Sequence, residues 1–170
     1  MDLIKANEIL KVINELDSNS KKSIIEALNL AEHVERTSGD FYAKEVEKNK
    51  GNELESFFSF MVKEEEMHLN KILELKQKLN TDEEIEKISF PTHEMPKIKS
   101  IPAGKDEMTS LLYALWREKK AEDFYRKASE KTKGQVSLFF LELADFEKKH
   151  VELFEEYIEN MGNVNELIMG

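Results

Sequence analysis

The sequence predicts an all-α fold: a four-helix bundle of two hairpins joined by a long crossover, with a short extra helix at the N-terminus. Three observations favour this fold. The 170 residues include only six Gly and three Pro, the residues that most often interrupt helices. Apolar residues recur at helical spacing through four long segments. One stretch, which contains all three Pro residues, divides these segments into two pairs.

A chain of this length suits one core, so we assign residues 1–170 to a single domain. A short amphipathic helical segment covers residues 1–19 and ends in the run from Asp17 to Ser20, which can cap the next helix. The other boundaries follow the helical patterns and the turn residues. They place the first hairpin at 21–79, the crossover at 80–105 and the second hairpin at 106–160.

Short turns join the two helices of each hairpin. Gly51 and Asn52 predict a turn and an N-cap in the first hairpin. Gly134 separates the helices of the second hairpin, and Gly162 follows the last helix. The four long helices are expected at about 21–48, 53–79, 106–131 and 135–160.

The crossover is much longer than these turns. It contains Pro91, Pro96, Pro102 and Gly104, which exclude a continuous helix. An extended chain covers up to ~3.3 Å per residue, so the crossover can run the full height of the bundle. It can therefore leave the second and third long helices parallel.

The two hairpins resemble each other in sequence. In the first, Glu35 lies seven residues before the Tyr of an Asp-Phe-Tyr triplet, and this arrangement recurs 83 residues later. A Glu-x-x-His motif recurs at an offset of 82 residues. Such a repeat predicts pseudo-twofold symmetry, which would bring equivalent residues together at the middle of the bundle. The recurring residues are Glu35, Tyr42, Glu65 and His68 in the first hairpin, and Glu118, Tyr125, Glu147 and His150 in the second.

Four Glu and two His of this set fall on the apolar stripes of their helices and predict a metal site. Residues three apart share a helix face, so each Glu-x-x-His motif can direct both side chains into one cluster. Burying four carboxylates is very costly, and two divalent cations would balance their charge. Carboxylate and imidazole ligands suit iron or manganese, and zinc can occupy them. In the usual arrangement of such bundles, Glu35 and Glu118 would be terminal ligands, and Glu65 and Glu147 would bridge the metals.

The repeated pattern resembles the rubrerythrin branch of the ferritin-like di-iron carboxylate superfamily over about residues 24–160. All six metal-ligand positions match: Glu35, Glu65, His68, Glu118, Glu147 and His150. The resemblance implies a ferritin-like bundle with two iron ions that react with hydrogen peroxide or dioxygen, usually in a dimer. Rubrerythrins proper also carry a rubredoxin domain with Cys ligands, and this sequence has no Cys. The electrons would therefore come from a separate donor, such as a rubredoxin-like protein.

The sequence departs from the family pattern at one ligand position. Rubrerythrins have an extra Glu three residues after the ligand on the third long helix, where this chain has Ala121. The equivalent residue of the first hairpin is Ser38, and Glu122 is near but differently placed. The resemblance therefore does not carry over the movement of iron associated with this Glu, nor full peroxidase activity.

Other residues near the motifs have two interpretations. Tyr42 and Tyr125 are either aromatic core residues or donors of hydrogen bonds to ligand carboxylates across the bundle. Gly39 either lets a neighbouring helix approach closely or leaves room beside the metals. We expect His33 and His93 to be exposed to solvent. The charged neighbours of the ligands are expected either in solvent or against the ligands: Glu64, Glu66, Lys148 and Lys149.

Composition and charge disfavour several classes of function and location. A net charge of −10 makes nucleic acid an unfavourable partner, and the absence of Cys excludes thiol catalysis and Fe–S clusters on this chain. No stretch approaches the ~20 apolar residues of a membrane-spanning helix, and the first residues lack the apolar run of a signal peptide. We therefore expect a cytoplasmic protein. An outward Trp116 predicts packing against the crossover, the N-terminal segment or a second subunit, and we expect a homodimer.

Four functions fit the predicted site. The first is rubrerythrin-like reduction of hydrogen peroxide, or reaction with dioxygen, at two Fe(II) ions. The second is a ferroxidase that handles or stores iron, and storage needs a closed shell of subunits. The third is oxidation of an organic substrate, which needs a cavity that the large Phe residues would fill. The fourth is a non-catalytic bundle that the metal stabilises.

Overall fold

A computed structural model describes residues 3–97 and 104–169, with side chains described for 7–97 and 104–161. All regular structure in these ranges is helical, which confirms the predicted all-α fold, a ferritin-like bundle with a short N-terminal helix. The helices are α1 (Leu3–Glu15), α2 (Lys21–Lys48), α3 (Glu53–Asn80), α4 (Lys105–Lys131) and α5 (Gly134–Met169). The predicted end of the last helix near Asn160 is wrong, because α5 continues through Gly162. A single Gly costs a helix only about 1 kcal/mol relative to Ala, and it keeps the backbone N–H that Pro lacks.

Local hydrogen bonds explain where the long helices begin. The Ser20 side chain accepts a hydrogen bond from the backbone N–H of Ser23 at 3.2 Å and caps α2. Asn52 caps α3 by accepting from the N–H of Leu54 at 2.9 Å. Gly51, just before this cap, has a φ of 82°, a left-handed conformation that favours Gly. The predicted caps at both helix starts are therefore confirmed.

The four long helices pack as two hairpins. α2 packs along α3 and α4 packs along α5, while α1 lies against α2 and α4. The interior contains two hydrophobic clusters, one around Leu28 and Phe140 and the other around Leu54 and Phe154. The residues of the predicted metal site lie between these clusters along each long helix. Within the described ranges, no helix is long and apolar enough to cross a membrane.

The described part of the crossover contains no helix after α3 ends. It lies against α3 and α5. Phe90 is buried, and its ring centroid lies 5.4 Å from that of Phe146 in α5. Further on, Pro96 lines a cavity together with Glu53, at the first turn of α3. The crossover therefore runs back along the bundle, as the sequence predicts, which leaves α4 parallel to α3. Pro102, which we also counted as a helix breaker, lies outside the described residues.

Candidate metal centre

The six residues predicted to bind metal lie together at the middle of the bundle. All of them can carry a charge, yet none is more than 2% exposed. The four long helices all contribute, so the cluster depends on the packing of both hairpins. Its members are Glu35 from α2, Glu65 and His68 from α3, Glu118 from α4, and Glu147 and His150 from α5.

The ligand atoms of these residues form two groups, and the atoms within each group lie within 4.8 Å of one another. The first group consists of Glu35, Glu65, His68 and Glu147, and the second of Glu65, Glu118, Glu147 and His150. Glu65 and Glu147 belong to both groups, whereas the other four residues belong to one group each. Two metal ions side by side would divide the ligands in this way.

Both imidazole rings turn Nδ1 towards the carboxylates. Nδ1 of His68 lies 3.2 Å from Glu147 Oε1 and 3.5 Å from Glu35 Oε2. Nδ1 of His150 lies 3.1 Å from Glu118 Oε2 and 3.4 Å from Glu147 Oε2. The two rings are stacked, with their centroids 5.5 Å apart. Each ring can therefore offer one nitrogen to a cation among the neighbouring carboxylate oxygens.

Several polar atoms of the cluster lie close to one another but not in the geometry of a hydrogen bond. Among the described residues, these buried atoms include Glu35 Oε2, Glu65 Oε1, His68 Nδ1 and both carboxylate oxygens of Glu147. An unsatisfied buried polar group costs roughly 1–3 kcal/mol, and a charged one costs more. Carboxylate oxygen and imidazole nitrogen are ligands for iron, manganese and zinc. The residues present therefore fit a pair of divalent metal ions.

Without metal, protons balance part of the negative charge. Burial and the charges of Glu118 and Glu35 raise the pKa of Glu147 to about 7. Burial disfavours a charged His68, but its contacts with Glu147 and Glu35 outweigh burial and raise its pKa to about 9. Burial also disfavours an ionised Glu118, yet its contact with His150 prevails and lowers its pKa to about 2. Since metal ions displace bound protons, metal binding at neutral pH should release protons and strengthen as the pH rises.

Two tyrosines connect the hairpins through ligand carboxylates. The hydroxyl of Tyr42, in the first hairpin, donates to Glu118 Oε1 in the second. The hydroxyl of Tyr125, in the second hairpin, donates to Glu35 Oε1 in the first. Burial and the nearby carboxylates raise the pKa of both hydroxyls well above the usual value, so both remain donors. The two bonds are related by the repeat and leave Oε2 of each Glu facing the metal site.

Tyr125→Phe is expected to destabilise the protein by about 2 kcal/mol, because a hydrogen bond to a charged group contributes roughly 1.5–3 kcal/mol. The matched variant Tyr42→Phe should have a similar effect, since it removes the repeat-related bond to Glu118. Urea denaturation of the metal-free protein measures both changes. A change below about 0.5 kcal/mol in both variants, the range of ordinary surface substitutions, would show that the hydroxyls do not hold the carboxylates. An unchanged oxidation rate of bound Fe(II) would count against a role of either hydroxyl in the chemistry.

Two residues beside the ligands make contacts that the sequence does not predict. Glu64, for which we left two positions open, is 2% exposed, and its Oε2 lies 3.4 Å from His150 Nε2. His93 is exposed as expected, with 41% of its side chain accessible, yet its Nδ1 also donates to Glu64 Oε1, a contact that was not predicted. No sequence signal predicts this pair, since Phe146 occupies the repeat position of Glu64. His33 lines a cavity beside α1 instead.

No carboxylate replaces the extra Glu of rubrerythrins among the described residues near this position. Ala121 is 5% exposed, and Ser38 accepts a hydrogen bond from Arg117 Nη2 at 3.0 Å. Glu122 pairs with Arg126 at 3.1 Å. Within the described part of the chain, Glu122 belongs to none of the groups that could hold a metal ion. Glu122 therefore does not replace the missing ligand.

A groove between α2 and α3 leads towards the metal site. Its volume is about 370 Å³, and its lining includes Glu35, Glu65 and Gly39. A Cβ atom at Gly39 would lie 3.8 Å from the Cβ atom of Glu65, an ordinary contact distance. Close approach of the helices therefore does not require Gly at this position. Of the two interpretations of Gly39, the structure favours room beside the metal site.

Gly39→Ala is expected to stabilise the protein by roughly 1 kcal/mol, because Ala favours a helix interior and its Cβ atom fits. Urea denaturation measures this change. Gly39→Leu would fill the groove, so we expect slower oxidation of bound Fe(II) with an unchanged affinity for the metal. Stopped-flow absorption measures the rate, with the Ala variant as the control. Equal rates in the two variants would mean that oxidants reach the site by another route.

A four-helix bundle that gathers four Glu and two His around one point has the architecture of the carboxylate two-metal proteins. Residues 110–169, which comprise most of α4 together with α5, match the Rubrerythrin family. This segment contains Glu118, Glu147 and His150. The resemblance to the rubrerythrin branch is therefore confirmed for the second hairpin, which this match covers. Comparisons with curated proteins and with solved structures found no match.

Proposed function

We propose that the protein is a di-iron oxidoreductase that reduces hydrogen peroxide, with electrons from a separate donor such as a rubredoxin-like protein. The observation that carries this proposal is the pair of buried ligand groups that share Glu65 and Glu147. When bound, two Fe(II) ions supply one electron each, so that one hydrogen peroxide and two protons yield two water molecules. The family match supports iron as the metal. We further propose a role in protection from oxidative stress.

The residues of the chain hold and enclose the site in this proposal. The six ligands take up two ions and balance their charge with four carboxylates. Tyr42 and Tyr125 keep one oxygen of each outer ligand in place, which leaves the other oxygen free for the metal. Phe58 and Phe140 stack on these tyrosine rings, with centroid distances of 6.1 and 6.3 Å, and keep bulk water away.

The groove beside Gly39 is the opening at which a small oxidant would reach two of the ligands, and its lining is mixed, with the apolar residues Ala43, Val62 and Leu69 beside charged ones. Its lining includes the charged residues Arg36, Asp40 and Glu66 next to two of the ligands. Oxidation of an apolar organic substrate would need an apolar cavity at the ligands, and Phe58 and Phe140 are fully buried against the tyrosines there. We therefore rank peroxide and dioxygen above organic substrates.

The test loads the protein with two Fe(II) per chain in the absence of oxygen and compares the oxidation rates with hydrogen peroxide and dioxygen. We expect faster oxidation by peroxide, with one peroxide consumed per two irons. Protein loaded with Zn(II), which has no redox chemistry, is the control and should consume no peroxide. If neither oxidant reacts with the iron-loaded protein, the catalytic proposal fails and a metal that only stabilises the bundle replaces it.

A ferroxidase is the second candidate, because the groove carries acidic side chains that would attract Fe(II). Asp40 and Glu66 lie in its lining beside the ligands Glu35 and Glu65. In this case dioxygen should oxidise the bound iron faster than peroxide does. Added Fe(II) should then continue to turn over beyond two irons per chain.

The oligomeric state distinguishes these two functions further. Three neighbouring apolar side chains of α4 are exposed: Leu112, Tyr113 and Trp116. Their exposure supports the proposed homodimer, because contiguous apolar surface often marks an interface. Sedimentation of the intact chain measures the mass: a dimer argues against iron storage, and a large closed shell argues for it. The cytoplasmic location stays a prediction from the sequence.

A further inference from the structure

The two histidines of the metal site have different surroundings on the side away from the carboxylates. His68 and His150 are equivalent in the repeat, and both turn Nδ1 towards the ligand groups. Nε2 of His150 lies 3.4 Å from Glu64 Oε2. Nε2 of His68 is buried without a hydrogen-bond partner among the described residues. The difference originates in the sequence, because Phe146 in α5 takes the repeat position of Glu64 in α3.

The outer face of His68 is apolar. The ring of Phe146 lies 5.3 Å from the His68 ring, and the ring of Phe90 lies 6.5 Å away, between centroids. Phe90 belongs to the crossover, so the crossover covers this histidine with a phenyl ring. On the side of His150, the crossover instead contributes a polar side chain.

That polar side chain is His93, which holds Glu64 from the crossover. Nδ1 of His93 donates to Glu64 Oε1, while Glu64 Oε2 accepts from His150 Nε2. The Glu64 carboxylate therefore lies between the buried imidazole of His150 and the partly exposed imidazole of His93.

We infer that Glu64 is a positioning residue that fixes His150 for metal binding and, through His93, couples this binding to docking of the crossover. The inference rests on the proposed metal site. A carboxylate behind a ligand imidazole fixes its tautomer and orientation and increases its basicity, and removal of such a partner typically weakens metal binding 10–100-fold. Because His68 lacks this partner, the ligand group that contains His150 should bind the first metal ion.

The coupling acts in both directions. If contact between His93 and Glu64 strengthens metal binding, then metal binding must strengthen that contact by the same free energy. A physical reason exists, since a metal ion on Nδ1 would fix the His150 ring, and a fixed ring keeps the Glu64 carboxylate in the orientation in which Oε1 faces His93. Metal binding should therefore hold the crossover more firmly against α3 and α5.

Glu64 as a direct ligand is the competing interpretation. Ligand atoms of Glu64, His68 and His150 also lie within 4.8 Å of one another. Positioning is favoured, because both oxygens of Glu64 already accept hydrogen bonds from imidazole N–H groups. The experiment separates the two roles through the conservative variant, since a Gln side chain can still accept a hydrogen bond from His150.

The first arm of the test titrates the intact chain with Co(II) and follows its visible absorption. Wild type should bind two Co(II) with unequal affinities. Glu64→Leu should weaken the tighter site 10–100-fold and leave the weaker site unchanged. Glu64→Gln should restore most of that affinity and the wild-type spectrum. Glu152→Gln, which changes an exposed carboxylate two residues from His150 in α5, is the matched control and should behave as wild type.

The second arm uses His93→Ala, which leaves the core intact because His93 lies in the crossover and is partly exposed. It should weaken the same Co(II) site by a smaller factor than Glu64→Leu. Hydrogen–deuterium exchange of residues 88–97 should slow on metal binding in wild type, and His93→Ala should remove this difference. Thr92→Ala, an exposed neighbour, is the control and should retain it.

The outcomes separate the inference from the function on which it rests. No Co(II) binding by wild type would overturn both. Two bound Co(II) in wild type, with equal affinities in Glu64→Leu and wild type, would overturn the inference alone. Loss of a whole metal equivalent in both Glu64→Leu and Glu64→Gln would show direct ligation instead. If metal binding did not change the hydrogen–deuterium exchange rate of residues 88–97 in wild type, the coupling would be overturned.

Discussion

Glu147→Gln is expected to prevent stable binding of both metal ions, whereas Glu118→Gln should remove only one. Glu147 belongs to both ligand groups, and Glu118 belongs to the group of His150 alone. Loss of a partner behind a ligand already costs 10–100-fold in affinity, so loss of a shared ligand should cost more than about 100-fold at each site. Equilibrium dialysis against Co(II), followed by metal analysis, measures the number of ions per chain.

The fold of the Glu147→Gln variant should survive without metal. Burial and the charges of Glu118 and Glu35 raise the pKa of Glu147 to about 7, so the neutral amide removes an unfavourable buried carboxylate. The metal-free variant should therefore melt no lower than metal-free wild type. Glu152→Gln, at an exposed position of the same helix, is the control and should bind two ions. If Glu147→Gln retained one ion at wild-type affinity, Glu147 would not be shared.

The repeat made the centre of the site predictable. Glu35 and Glu118 lie on apolar stripes at equivalent positions, and a charge on such a stripe needs a partner in the core. The sequence left two interpretations of Tyr42 and Tyr125 open, and the structure favours the hydrogen bonds across the bundle, since Tyr42 of one hairpin donates to Glu118 of the other. The helical periodicity of apolar residues therefore predicts the fold, and the internal repeat predicts which ligand residues meet.

The contacts that the sequence did not reveal are those that break the repeat. Glu64 has no repeat counterpart, so the sequence left open whether it lies in solvent or against the ligands. His93 lies in a segment without periodicity, so its contact with Glu64 depends on the path of the crossover over α3 and α5. The end of α5 was misplaced for a related reason, since Gly162 is a weak signal whose effect depends on the surrounding helix.

The two halves of the metal site differ in what lies behind each ligand histidine. The two ligand groups share their central carboxylates but differ in the partner of the imidazole, which is Glu64 at His150 and the rings of Phe90 and Phe146 at His68. Partners of a ligand histidine tune the electronic properties of the metal it holds. Two metal ions in such a site would not be equivalent, even though the sequence motifs that bind them are.

Removal of metal from the wild-type protein is expected to lower its melting temperature by about 5–10 °C. The more tightly bound ion, at 100 times its dissociation constant, stabilises the native state by about 2.7 kcal/mol, and a second ion near its dissociation constant adds little. Each kcal/mol shifts the melting temperature of a chain of this size by about 2–4 °C. The loss stays moderate, because protons replace part of the missing charge: in the metal-free site the pKa of His68 rises to about 9. Calorimetry of the Mn(II)-loaded and the chelated protein measures the shift.

The Glu147→Gln variant provides the control for this measurement. It keeps the helices and both tyrosine bonds, and it should show no shift between Mn(II) and chelator. A shift in wild type that is absent from this variant would therefore originate at the buried cluster rather than at the acidic surface. An unchanged melting temperature of wild type would mean that the two ligand groups do not hold metal in the folded protein. In that case the unpaired oxygens of Glu35, Glu65 and Glu147 would have to be satisfied by protons alone.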